Sequence, residues 1–249
     1  MFSHRSKTFA TTLLKALFFM FIAFVLFSCM VEQKALIRSD GSGSVDFTFR
    51  MEDYFLDTVL EMADLAEESP TLDEGEIFDI PQITKDFEEN PAIKLESISS
   101  PQPSELKGTI TFKDVEKVLK QEEQLAESDA ITFSSEGATN TMTLHLTREN
   151  FSQIAGLFPI LENPFFQMFG PEENADTTEE EYLEMIAFAF GEEGARGVQN
   201  STITLIVTVD GTIVSQSGGS LNGKQVVFDI PLIRLLLLDK PLTYSISFN

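Results

Sequence analysis

Cys29 is the only cysteine in a chain of 249 residues. Its thiol has no partner for a disulfide and no second thiolate with which to hold a metal, so modification or burial as a small apolar group remains. Two histidines are present, His4 and His145. His145 lies between Leu144 and Leu146 in alternating text and so faces away from them. Carboxylates would have to converge on it to complete a zinc site, and a solvated strand histidine is the simpler reading. There is no G-x-S-x-G nucleophile turn, no P-loop and no G-x-G-x-x-G phosphate cradle. The run "DGSGSVD" at 40–46 gives Asp40, Ser42 and Ser44 a calcium-loop spacing. An EF-hand needs Gly at its sixth place and Glu at its twelfth, where this chain has Val45 and Met51. A hairpin turn accounts for the run. With 40 acidic residues, close carboxylate pairs are unavoidable and do not argue for glycosidase chemistry. Glu67-Glu68 and Glu179-Glu180-Glu181 read as solvated faces. Weak divalent-cation binding at the 172–181 loop is the alternative to a solvated face there. The expectation is a protein that is not an enzyme, with no cofactor and no metal.

The context of Cys29 is more informative. Residues 1–28 contain Arg5, Lys7 and Lys15 and no acid. After Lys15 comes "ALFFMFIAFVLFS", an uncharged run of the length of a secretory h-region. It is short for a membrane span. An uncleaved anchor counted back to Thr8 is the alternative, and it would place Lys15 inside the span at a cost of a few kcal/mol. Leu26-Phe27-Ser28-Cys29 resembles the bacterial lipobox, with an aliphatic residue at −3 and a small one at −1. Phe27 departs from the usual smaller residue at −2. The resemblance implies that residues 1–28 are a lipoprotein signal peptide. Cys29 then becomes an acylated N-terminus, and 29–249 forms a single exported α+β domain. Acyl chains attach such a protein to a membrane of the bacterial cell envelope. Met30 is not the Asp that retains lipoproteins in enteric bacteria, and inner or outer membrane stays open.

The remaining chain has 14 cations against 40 acids, a net charge of about −26. That excludes non-specific nucleic-acid binding, which depends on cations neutralising phosphates. It also argues against an electrostatic hold on anionic lipid, leaving the acyl chains as the attachment.

The elements behind these residues follow from periodicity. Val45, Phe47 and Phe49 alternate with Ser44, Asp46 and Thr48, and "SDGSGS" precedes them, predicting a β-hairpin over 32–50. Three segments read as a strand running directly into a helix. The first is 45–68, with Phe55, Val59 and Leu60 on one helix face. The second is 106–127, with Ile110 and Phe112 followed by Val115, Val118, Leu119 and Leu125. The third is 140–158, with Met142, Leu144 and Leu146 followed by Phe151, Ile154, Leu157 and Phe158. Asp114 and Thr147 are suited to be N-caps. Residues 68–82 read as an acidic loop, 90–104 as a short extended piece followed by "PQP", and 170–181 as an acidic loop entering a helix. Thr177-x-x-Glu180 has capping-box form, and that helix should end near Gly191. Ile203, Leu205, Val207 and Val209 alternate before a turn at Asp210-Gly211, and Leu242, Tyr244, Ile246 and Phe248 alternate to the C-terminus. The predicted fold is α+β, a mainly antiparallel sheet with strand–helix units packed on it and the C-terminal strand inside the sheet. Strands at both chain ends favour one joined sheet domain.

One apolar stretch invites a functional reading. "GLFPILENPFFQMFGPEE" at 156–173 carries Phe158, Phe165, Phe166, Met168 and Phe169, broken by two prolines, with "MIAFAF" following at 185–190. Such text either lines a pocket for a lipid or other apolar ligand, covers a sheet as core, or forms a patch for a protein partner. The leading expectation is an anchored envelope lipoprotein with a binding or scaffolding role. Its rival is a structural or interaction protein of the envelope without a small-molecule ligand.

The layout resembles the mycobacterial LppM-type lipoproteins. The features that carry it are Cys29 followed at once by a strand, "DGSGSVDFTFRM" at 40–51, and "DGTIVSQSGGSLNGKQVVFDI" at 210–230. It covers the two ends of the mature chain and little between. The resemblance implies a membrane-tethered α+β domain with a lipid- or glycolipid-binding role, and transfers no functional residue except the acylated Cys29.

Overall fold

The computed structural model describes residues 29–52, 78–88, 90–121, 123–155 and 167–249. The signal segment, the helix expected over 55–63, the loop over 68–77, and Phe158, Phe165 and Phe166 lie outside them. The described residues form eleven strands and six helices. In chain order they begin with β1 (Cys29–Ile37), β2 (Gly43–Met51), α1 (Ile80–Glu88), β3 (Ile93–Gln102) and β4 (Glu105–Phe112). Then come α2 (Val115–Gln121), α3 (Glu123–Ser128), β5 (Ile131–Glu136), β6 (Thr139–Leu146), α4 (Arg148–Ala155) and α5 (Glu179–Asn200). The chain closes with β7 (Thr202–Val209), β8 (Ile213–Ser217), β9 (Ser220–Asn222), β10 (Gln225–Pro231), α6 (Leu232–Leu237) and β11 (Leu242–Phe248).

The strands build two sheets. One has seven strands in the order β3-β4-β2-β1-β7-β10-β9, the other four in the order β5-β6-β11-β8. All pairings are antiparallel except β1 with β7. The fold class is α+β as read from the sequence, and the C-terminal strand lies inside a sheet, between β6 and β8. The two chain ends do not share one sheet, however: β1 belongs to the larger and β11 to the smaller.

One face of the large sheet is covered in two ways. Toward the Met51 end of β2, Phe47, Phe49 and Met51 with Leu106, Ile110 and Ile230 bury against Tyr182, Ile186, Phe190 and the α6 leucines. Toward the Ile37 end of β1, Ile37, Val207, Val209, Val226 and Phe228 bury against Ile246 and Phe248 of the small sheet. Period-two alternation keeps each strand's apolar side chains on one face, so Ile203 and Val207 of β7 serve different cores from the same face.

The chain passes from one sheet to the other at Gly218-Gly219. Gly218 has φ of +82°, and a Cβ on Gly219 would lie 2.5 Å from Val226 Cγ1 and 2.7 Å from Phe228 Cδ1. Only glycine allows both the turn and this approach to the inter-sheet core.

Local signals behaved as their chemistry requires. Asp40 Oδ1 accepts from Ser42 N at 2.9 Å, which closes the hairpin turn that the calcium spacing mimicked. Asp114 Oδ1 accepts from Lys117 N at 3.1 Å and Thr147 Oγ1 from Asn150 N at 3.2 Å, so both residues act as N-caps. The loop expected to run to residue 82 ends earlier. Asp79 Oδ1 accepts from Gln82 N at 2.8 Å and caps α1, with Pro81 tolerated in its first turn.

Candidate functional site

Three places in the structure bring polar or reactive groups together. The first surrounds Met168 and Phe169. Residues 171–176 form successive turns. Asn174, 4% exposed, donates from Nδ2 to the carbonyls of Met168 at 2.9 Å and Gly170 at 2.7 Å. The Tyr182 hydroxyl donates to the carbonyl between them, that of Phe169, at 2.7 Å. Three consecutive carbonyls thus have buried donors, which offsets the cost of removing them from water. Burial pushes the Tyr182 phenol far above its ordinary value, so it remains a donor.

This anchoring separates two neighbours. Phe169 is 1% exposed and lies 5.3 Å from the Phe190 ring, centroid to centroid, inside the core. Met168 is 50% exposed. Of the five residues read as lining an apolar site, the described two therefore point into different surroundings.

The helix that follows is α5. Its capping box is formed by Thr178 and Glu181, one residue later than read from the sequence: Thr178 Oγ1 accepts from Glu181 N and the Glu181 carboxylate accepts from Thr178 N at 2.9 Å. Hydrogen bonds from Thr178 hold the Glu181 carboxyl below its ordinary range. Helical geometry breaks near Gly191, where φ is +73° and ψ 175°, a conformation nearly confined to glycine. A second helical segment then continues to Asn200. Tyr182, Ile186 and Phe190 are buried. Phe188, about 200° around the helix from either Ile186 or Phe190, stands 95% exposed.

The second place is the end of the large sheet where β1 starts. Cys29 stands opposite Met51, the last residue of β2. Beside it Glu105 is 3% exposed and accepts from Arg50 Nη2 and Lys107 Nζ, each at 3.0 Å. Hydrogen bonds from Lys107 and then Arg50 hold its carboxyl below the ordinary range.

The third place is the opposite end of that sheet. Ser39 donates from N and Oγ to Asp210 Oδ1 at 2.9 and 2.8 Å. Asn140 Nδ2 donates to the Ser39 carbonyl at 2.9 Å, and Lys224 Nζ donates to the Asp210 carbonyl. Thr212 and Asn249 exchange backbone hydrogen bonds at 2.9 and 3.1 Å. The network ties the β1–β2 turn to the small sheet and the last residue of the chain. His145 takes no part: its Nδ1 bonds Thr243 Oγ1 directly across the β6–β11 pair at 2.8 Å. Among the described residues no group of three His, Cys, Asp or Glu side chains converges as a metal site, and no helix is long and apolar enough to cross a membrane.

Comparison with known proteins adds one weak likeness. No family model matches the chain, and no curated protein matches it. A solved structure, the NMR structure of the folded domain of the LppM protein of Mycobacterium tuberculosis, aligns over 90% of this chain and 90% of that one. The identity is 10% and the TM-score 0.41. No residue role is carried from it to this chain.

Sequence reasoning missed the polar groups that organise these places. Asn174 and Tyr182 carried no motif, and Glu105 was one acid among 40. The available signal for Glu105 was its place two residues before Lys107, on the polar side of an alternating strand.

Proposed function

We propose that this chain is an exported bacterial lipoprotein, held to a membrane of the cell envelope by acyl chains on Cys29. Its folded part binds or scaffolds a partner at that surface and catalyses no reaction. The observation that carries the reading is the place of Cys29. It is the first residue of β1, and it follows directly on an apolar run and ends a lipobox-like tetrapeptide. A thiol there meets the bilayer with no linker before the folded sheet, and two or more acyl chains supply stable attachment. The test is metabolic labelling with a radioactive fatty acid. Cys29→Ser is expected to abolish the label and to leave an unprocessed precursor. Unchanged labelling overturns the reading.

The finer reading is a lipid or other apolar ligand held near 158–169. It is favoured by Met168, which stands half exposed beside the buried Phe169. The rival within the same class is an interaction protein in which these side chains only cover the sheet. Micromolar binding of a fluorescent fatty-acid probe, weakened by Met168→Ala, supports the ligand reading, and no probe binding favours the rival.

A further inference from the structure

If Cys29 is acylated, the register of the large sheet determines which part of the protein lies at the lipid. β1 begins at Cys29 and runs toward Ile37, so its eight residue steps carry the chain roughly 26 Å away from the anchor. The neighbouring strands are in register with it. Arg50 pairs with Met30 on one side and with Glu105 on the other, and Glu105 pairs with Gln102 at the end of β3. On the opposite flank Val31 pairs with Ile203 and Ile203 with Ile230. The ends of β2, β3 and β10 and the starts of β4 and β7 therefore share one level with the anchor. The turns at 38–42 and 210–212, together with Asn249, lie at the far level.

We infer that the strand-end surface around Arg50, Gln102, Glu105 and Ser201 rests against the phospholipid headgroups, and that the opposite turns point away from the bilayer. The inference rests on the acylation of Cys29. Two further observations favour an end-on placement. This end carries Arg50 and Lys107, the side chains of both 44% accessible and both paired with the buried Glu105, a less acidic balance than that of residues 29–249 as a whole. The rest of residues 29–249, with 14 cations against 40 acids and a net charge of about −26, is repelled by an anionic leaflet, which disfavours lying flat on it.

The experiment uses the acylated full chain in phosphatidylcholine vesicles that carry a nitroxide on a fraction of the headgroups. Acylation blocks the Cys29 thiol, so a fluorophore reports only an introduced cysteine. Gln102→Cys and Asn222→Cys are matched sites. Both are exposed, and β3 and β9 are each the third neighbour of β1 on opposite sides. Gln102 is level with Met30, while Asn222 is level with Leu36 through Gln225 and Thr208. The two labels are therefore separated by about 20 Å along the strand direction at similar lateral offset. The lipid nitroxide is expected to quench the label at 102 at least twofold more strongly than the label at 222, and aqueous iodide to do the reverse. Equal or inverted quenching, in protein that still floats with the vesicles, overturns the orientation while leaving the anchor intact. Wild-type protein that fails to float and whose Cys29 takes up the dye overturns the anchor, and the orientation with it.

Discussion

Replacing Phe169 by alanine should separate core from ligand-lining surface in the apolar stretch. The ring is 1% exposed, packs on Phe190, and has its own carbonyl held by Tyr182. Truncating a phenylalanine of this kind costs about 3–5 kcal/mol, including the cavity left behind. For a chain of this size each kcal/mol shifts the melting temperature by about 2–4 °C, so a fall of about 6–20 °C is expected. Met168→Ala, one residue earlier and half exposed, removes about half of a methionine's burial and should cost about 1 kcal/mol. The assay is thermal melting of the detergent-extracted chain, followed by circular dichroism, with binding of a fluorescent fatty-acid probe measured on the same samples. A core role for Phe169 is excluded if Phe169→Ala melts within a degree or two of wild type and loses probe binding. That result would make the ring a pocket wall with room to spare.

Tyr182→Phe keeps the packing and removes the hydrogen bond that the Tyr182 hydroxyl donates to the Phe169 carbonyl. A loss of about 1–3 kcal/mol in urea unfolding is expected, and no loss would mean that this hydrogen bond does not stabilise the turn. Gly219→Ala drives a Cβ into Val226 and Phe228 and should cost about 1–3 kcal/mol by overpacking, read as an earlier urea midpoint. Glu105 gives a pH dependence. Its folded-state carboxyl is held below the ordinary 4.5, so its stabilisation is complete above that value and is lost as pH falls through the depressed one. Glu105→Gln should flatten the acid limb of stability against pH below about 4.5, and an unchanged limb would contradict the assignment.

Where local chemistry determined an element, the sequence was legible. The β1–β2 hairpin was visible because Val45, Phe47 and Phe49 alternate beside a Gly/Ser turn, and Asp114 and Thr147 cap the helices expected of them. "TTEEE" offered two equivalent capping registers, and the one realised places Tyr182, Ile186 and Phe190 inward. α6 left no trace because "LIRLLL" is buried on nearly every side, and a continuous apolar run has no period to read. The parallel β1–β7 pairing joins residues about 170 positions apart, and nothing local specifies it. Gly218-Gly219 has the composition of a turn, but its role in switching sheets depends on the close approach of Val226 and Phe228. At the candidate site, Met168 and Phe169 look alike in composition. Their difference comes from Asn174 and Tyr182, which orient the backbone between them.

Acylation at Cys29 is read most directly from the mass of the N-terminal peptide of the mature protein, taken from membranes after gentle detergent extraction. The expected mature chain begins at Cys29 and carries fatty acyl groups, with residues 1–28 absent. A mature chain that retains those residues, or one in which Cys29 bears a free thiol, would contradict it.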